Sequence, residues 1–229
     1  MQFDWTLALV SWPELLRGWL TTLALIPLCA VLGFFVAVPI AIAKDHPATI
    51  IRWPALSFSV FFRGAPALIV LYLIYNGFPQ FKFVRNSILW TFFSDPVNCA
   101  ILALSLNHAA FLSEIFRGGL AAVPKGIVEA AKALSLPSHI LYRKVLFPLA
   151  FRYAFSSYRN ELVFMIKATS IVGSITVFDL LAAANEAVER TYDPTTPLVM
   201  AGVLYWFTVN ATQIILTRVE GHLRRYDRV

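Results

Sequence analysis

Charge is scarce in this 229-residue chain. Asp, Glu, Lys and Arg make up 14% of it, against 59% hydrophobic residues. Soluble domains carry roughly 25% charged residues, so the shortage excludes an ordinary water-soluble fold and points to lipid. Cysteine is nearly absent. Cys29 and Cys99 are isolated, which excludes a disulfide or cysteine-based metal framework and leaves both as apolar filler. The four histidines are scattered, and no two have the spacing of metal ligands. There is no GxxxxGK(S/T) phosphate loop and no GxGxxG opening a helix after a strand, so the chain has no recognisable nucleotide site. GxSxG and HExxH are missing too, which removes the usual support for an enzyme. The N-terminus lacks a basic leader, so the first apolar run reads as a membrane span rather than a cleavable signal.

What the chain does have is long apolar runs, with a mean hydropathy of +0.69. Gly18 to Ala43 and Pro194 to Thr217 contain no charged residue. Each exceeds the ~20 residues needed to cross the hydrocarbon core. Gly64 to Phe81 and Pro96 to Ser113 are uncharged runs near the lower limit for a span. A fifth run, Tyr153 to about Ala183, is interrupted by Arg159, Glu161, Lys167 and Asp179. The expectation is an all-α membrane protein with five transmembrane helices. Trp5, Trp12 and Trp19 suit an interfacial segment leading into the first of them.

The basic residues set the orientation. With the N-terminus outside and the C-terminus cytoplasmic, twelve of the nineteen Lys and Arg fall on inward segments, among them Lys44, Lys125, Lys132, Arg143, Lys144, Arg224, Arg225 and Arg228. Four fall outside, and Arg63, Arg159 and Lys167 lie in or near the spans. That is a positive-inside bias. The net charge of +6 therefore reports topology and contact with anionic membrane lipid, not nucleic-acid binding. No internal repeat or linker divides the chain, so residues 1–229 parse as one membrane domain.

One stretch breaks the apolar pattern. Residues 129–148, EAAKALSLPSHILYRKVLFP, are polar and helix-prone. Glu129 opens a helix on which Ala130, Ala131 and Ala133 leave a face without bulk, and its charge suits the helix N-terminus. Leu136-Pro137 breaks that helix, Ser138 is placed to cap a second one, and Pro148 stands before the next span. Such a helix–turn–helix outside the membrane is a means of gripping a soluble partner.

Around this stretch the sequence resembles the permease subunits of bacterial ATP-binding-cassette importers of the polar amino-acid uptake family. The resemblance rests on Glu114-Ile115-Phe116-Arg117-Gly118, on Glu129-Ala130-Ala131 and on Pro148 at the family's spacing. Ser135 stands where the family has Gly, Val145 for Ile and Phe147 for Leu. Phe62-Arg63-Gly64-Ala65-Pro66 resembles the family's FRGTP, and Asn160-Glu161 and Lys167-Ala168-Thr169-Ser170 resemble its N-E and K-x-T-S elements. The matches keep their order over most of the chain. The resemblance implies a type I ABC importer permease fold in the bacterial inner membrane, with a cytoplasmic coupling loop at about 118–152. In that loop Glu129, Ala130, Ala131, Ser135 and Pro148 would engage an ATPase dimer. It further implies a second permease subunit, the same or paralogous, and a periplasmic or extracellular substrate-binding protein. Mg-ATP would belong to the ATPase, with no cofactor in this chain.

Intramembrane charges are costly and face a bundle interior or a water-filled cavity. Candidates for the substrate path are therefore Glu161, Asn160, Lys167, Thr169, Glu114 and Arg63. Glu161 and Lys167 are six residues apart, roughly 240° around a helix, so they do not share a face. Glu114 also suits a local ion pair with Arg117 at i, i+3, and Arg63 suits either a snorkelling anchor or a gate. Asn107 and His108 fit either the same cavity or helix–helix hydrogen bonds. An ion-coupled carrier or channel using Glu161 without an ATPase stays open as the alternative, although five spans without an internal repeat weigh against most secondary carriers.

Overall fold

A computed structural model describes residues 3–223. Arg224, Arg225 and Arg228, counted above among the inward basic residues, lie outside the described residues, as does the side chain of Lys132. The elements are α1 (Trp5–Lys44), α2 (Thr49–Gly64), α3 (Ala67–Tyr72), α4 (Lys82–Arg85), α5 (Leu89–Phe93), α6 (Pro96–Ala121), α7 (Lys125–Ala133), α8 (Ser138–Ile140), α9 (Phe147–Ala168), α10 (Leu180–Thr191) and α11 (Thr195–Leu223). The described residues include no strand.

Among the described residues, helices α1, α6 and α11 are each long and apolar enough to cross a membrane, and two bent pairs bring the candidate spans to five if each pair counts as one span. The first span is longer than its apolar run. α1 is one helix of 40 residues, about 60 Å at 1.5 Å per residue and twice the hydrocarbon thickness. Its stretch ahead of Gly18 exposes Trp5 and Trp12, as an interfacial segment would.

The second span is not the simple helix expected from Gly64. α2 precedes it, and the chain turns by 111° before α3, which runs on through a π turn (Leu73–Gly77) and a 3-10 turn (Phe78–Gln80). Pro66 causes the break. It lacks an N–H and drives Ala65 out of the helical region, to ψ 138°. Pro66 therefore lies between two helices, as the cap of α3.

The fourth span also departs from expectation. It starts earlier, because α8 continues through a π segment (Leu141–Leu146) into α9. It ends in a 3-10 segment (Thr169–Ile175), and α10 then leaves at 49°. The widened turn ahead of α9 accommodates Pro148, which cannot donate to a helical carbonyl and would clash in an α-helical turn.

The core forms where α1, α3, α6 and α9 meet, around Leu25, Leu71, Ala103, Leu104, Leu162 and Met165. Cys29 and Cys99 are buried in it as free thiols. A second cluster joins Leu15 of α1 to Leu180 and Ala184 of α10 and Ala201 of α11. Helices α6 and α9 approach closely at Gly119, where a Cβ would lie 2.8 Å from Cβ of Ala154. Small residues at such crossings are what lets membrane helices pack.

Candidate functional site

The break at Pro66 creates a polar need that α6 meets. In an uninterrupted helix the N–H of residue 66 would bond the carbonyl of Phe62. Instead Asn107 Nδ2 donates to that carbonyl at 2.8 Å. This bond ties the end of α2 to α6, and a cavity lies beside it. The cavity has a volume of about 460 Å³, and its lining includes Arg63, Asn107, His108, Phe111, Glu161 and Met165. That size lies within the range of small-molecule pockets, roughly 300–1,000 Å³.

Glu161 is the cavity's carboxylate. It is 9% exposed, and its Oε1 lies 3.2 Å from Nδ1 of the buried His108. Asn107 and His108 thus satisfy both expectations at once, bonding across helices while lining the cavity. Arg63 stands at the cavity's edge with its guanidinium carbon 5.6 Å from the Phe111 ring centroid, a cation–π arrangement. Its Nη1 lies 3.6 Å from Glu114 Oε1.

Glu114 does not line this cavity. It pairs with Arg117 at 3.0 Å, as the i, i+3 spacing suggests, and also with Lys44 at 3.0 Å. Lys44, counted above among the residues of inward segments, has a fully buried side chain. Its Nζ donates to Ser59 Oγ and Ser113 Oγ, each at 2.6 Å, as well as to Glu114. Both hydroxyls pass their own hydrogens to the Ala110 carbonyl. Nothing local to Lys44 in sequence signals this, since its partners are 15, 69 and 70 residues away.

The remaining path candidates lie elsewhere. Asn160 and Lys167 are exposed and do not line this cavity. Thr169 is buried outside it, donating to the Ile166 carbonyl at 2.7 Å as the 3-10 segment begins. Glu161 and Lys167 do point to different faces.

At the loop end α7 begins at Lys125, so Glu129 lies within the helix and does not open it; Glu129, Ala130 and Ala133 are exposed, but Ala131 is not. It packs with Val123, Leu141, Leu146 and Ala150 into the loop's own small core. The flat face therefore comprises Gly126, Ala130 and Ala133, spaced i, i+4, i+7, in place of the alanine trio expected. Beside it Leu134 stands 74% exposed, a feature the sequence did not flag. The turn after α7 is a Schellman cap. Ser135 takes φ 51°, and the Leu136 amide bonds the Ala131 carbonyl at 3.1 Å. Ser thus adopts the left-handed conformation at a cost of about 1 kcal/mol over Gly. Pro137, not Ser138, occupies the cap position of α8 and gives it no side-chain bond.

Comparison with known proteins decides what this arrangement belongs to. Residues 30–225 match the family of binding-protein-dependent transport system inner membrane components. This chain is a member of that family. The permease is 38% identical over 226 residues to the nopaline transport system permease protein NocM of Agrobacterium fabrum, covering 98% of this chain and 94% of that one. It is 37% identical to the histidine/lysine/arginine/ornithine permease HisM of Salmonella typhimurium, over 80% of this chain and 79% of that one. An amino acid ABC transporter crystallised with histidines superposes with a TM-score of 0.86 at 28% identity, covering 97% of the permease and all of that chain. The methionine transporter MetNI shares the fold, with a TM-score of 0.77 at 21% identity over 92% and 96% of the two chains. The permease therefore has the type I ABC importer fold and is a multi-pass inner-membrane subunit of such an importer.

Proposed function

We propose that this chain forms the translocation path for a polar amino acid or an opine-like conjugate. The observation that carries the reading is a cavity, bounded by α3, α6 and α9, that holds both a buried carboxylate, Glu161, and a guanidinium, Arg63. A solute with a cationic side chain and carboxylates has a complementary group for each. The names of the relatives, transporters of nopaline and of histidine, lysine, arginine and ornithine, describe solutes of that kind. Asn160, Lys167 and Thr169 have no place in this cavity, and Glu114 acts on it through Arg63.

In this reading residues 1–229 are one transmembrane domain with the N-terminus outside and the C-terminus cytoplasmic. The segment 118–152 couples it to an ABC ATPase dimer that hydrolyses Mg-ATP, so this chain is non-catalytic and carries no cofactor. Glu129 and the Gly126–Ala130–Ala133 face meet the ATPase, Ser135 and Pro148 set the loop's course, and Ala131 supports it from within. A second permease subunit, the same or paralogous, completes the pore, and a substrate-binding protein delivers the solute. The open Cβ position at Gly126 and the exposure of Glu129 support a docking surface there.

The test is uptake in proteoliposomes holding the co-purified complex and its binding protein. Transport should require ATP, and Glu129→Lys should reduce it about tenfold or more while membrane insertion is unchanged. Uptake driven by an ion gradient alone would instead establish the ion-coupled carrier, and undiminished uptake by Glu129→Lys would remove the docking assignment.

A further inference from the structure

Glu161 has a single hydrogen-bond partner among the described residues, and that partner is itself packed against α1 and α9. In the tautomer with its proton on Nδ1, His108 donates to Oε1 of Glu161 at 3.2 Å. In that tautomer the imidazole has one N–H, and it is spent on Glu161. The ring is 1% exposed, and no protein group among the described residues bonds its Nε2. On one side it presses on α1, where a Cβ at Gly33 would lie 2.7 Å from His108 Cδ2 and 3.1 Å from the Ser105 carbonyl oxygen. On another the Tyr158 ring of α9 stands 6.3 Å away, centroid to centroid. The space beside His108 therefore depends on a residue without a side chain in a different helix.

We infer that His108 is a positioning residue for cation recognition. It holds Glu161 by one oxygen, so that the carboxylate presents its other oxygen to a positively charged solute group. Gly33 serves the same end by keeping the imidazole in place. A ring needed only to join α6 to α9 would not have to meet the cavity's acid, and a methyl or isobutyl group would fill the site without burying a polar atom. The inference rests on the cavity being the solute path.

The experiment measures equilibrium binding of L-arginine and of L-glutamine to the purified permease–ATPase complex, with assembly on size exclusion as the folding control. His108→Leu should weaken arginine binding about tenfold, the size of one hydrogen bond to a charged group, and change glutamine binding less than about twofold. His108→Asn, whose amide N–H replaces Nδ1–H, should recover most of the loss. Gly33→Ala should reproduce the arginine-specific loss from outside the cavity. Equal weakening of both solutes, or no rescue by Asn, would make His108 a packing residue and overturn the inference. If His108→Leu fails to assemble, Gly33→Ala decides alone. Glu161→Gln separates the two claims. If it leaves arginine binding unchanged, or if the unaltered complex binds no arginine, the cavity reading falls. If it weakens binding while His108→Leu and Gly33→Ala do not, only the role of His108 falls.

Discussion

Two acids in the helical bundle are treated in opposite ways. Glu114, near the loop end of α6, meets Lys44 and Arg117 at 3.0 Å and Arg63 at 3.6 Å. Glu161 on α9 meets one imidazole. The first environment is saturated: the Lys44 ammonium has three acceptors, and the serines it donates to are bonded in turn. The second spends a single N–H on a carboxylate that lines open space. Pulling one member out of a buried ion pair leaves an uncompensated charge in a low-dielectric interior, so a saturated cluster behaves as a fixed joint of α1, α2 and α6. A carboxylate with coordinating capacity to spare is available to something that enters and leaves. Arg63 touches both regions, which places the cavity's edge one contact from the joint.

The contrast can be broken at either end. The largest effect is expected at the joint. Lys44→Met removes the buried ammonium and should destabilise the protein by about 3 kcal/mol, the low end for losing one partner of a buried pair because Arg117 and Arg63 remain on Glu114. Unfolding in detergent measures it, and a loss below about 1 kcal/mol would show the joint to be dispensable. Glu161→Gln should do the reverse. It should leave stability within about 1 kcal/mol, since an amide still accepts from His108, while weakening uptake of a cationic solute roughly 10- to 100-fold. Loss of stability without loss of affinity would make Glu161 a second joint. The smallest effect lies outside both regions, at the loop. Ser135→Gly should stabilise the turn by about 0.5–1 kcal/mol with transport retained, because φ 51° suits glycine. A destabilised loop would mean that the serine hydroxyl holds the turn.

Much of the fold was legible in the sequence because hydropathy is summed locally. The uncharged runs of α1, α6 and α11 read directly as spans. α2 did not, since its 16 residues carry Arg52 and Arg63 and it stops at Pro66. Its 111° departure from α3 follows from one missing N–H, but the amide that satisfies the orphaned carbonyl comes from Asn107, 45 residues on. α10 was partly merged with the span before it, because the 3-10 segment that separates them is as apolar as a helix. Within the loop, the spacing of Glu129, Ser135 and Pro148 was readable, whereas the inward turn of Ala131 depended on the residues that Val123 and Leu141 bring beneath it.

By itself the sequence determined that this protein spans a membrane and that a polar helix–turn–helix breaks its apolar pattern. Both are properties of short windows, in which apolar length and residue spacing act on the backbone directly. Only the tertiary structure decided which acid is locked and which is available. That depends on the groups packed against each carboxylate, and the decisive ones, Lys44 for Glu114 and His108 for Glu161, lie 70 and 53 residues away. Helix packing brings them within reach, and no local pattern encodes that approach.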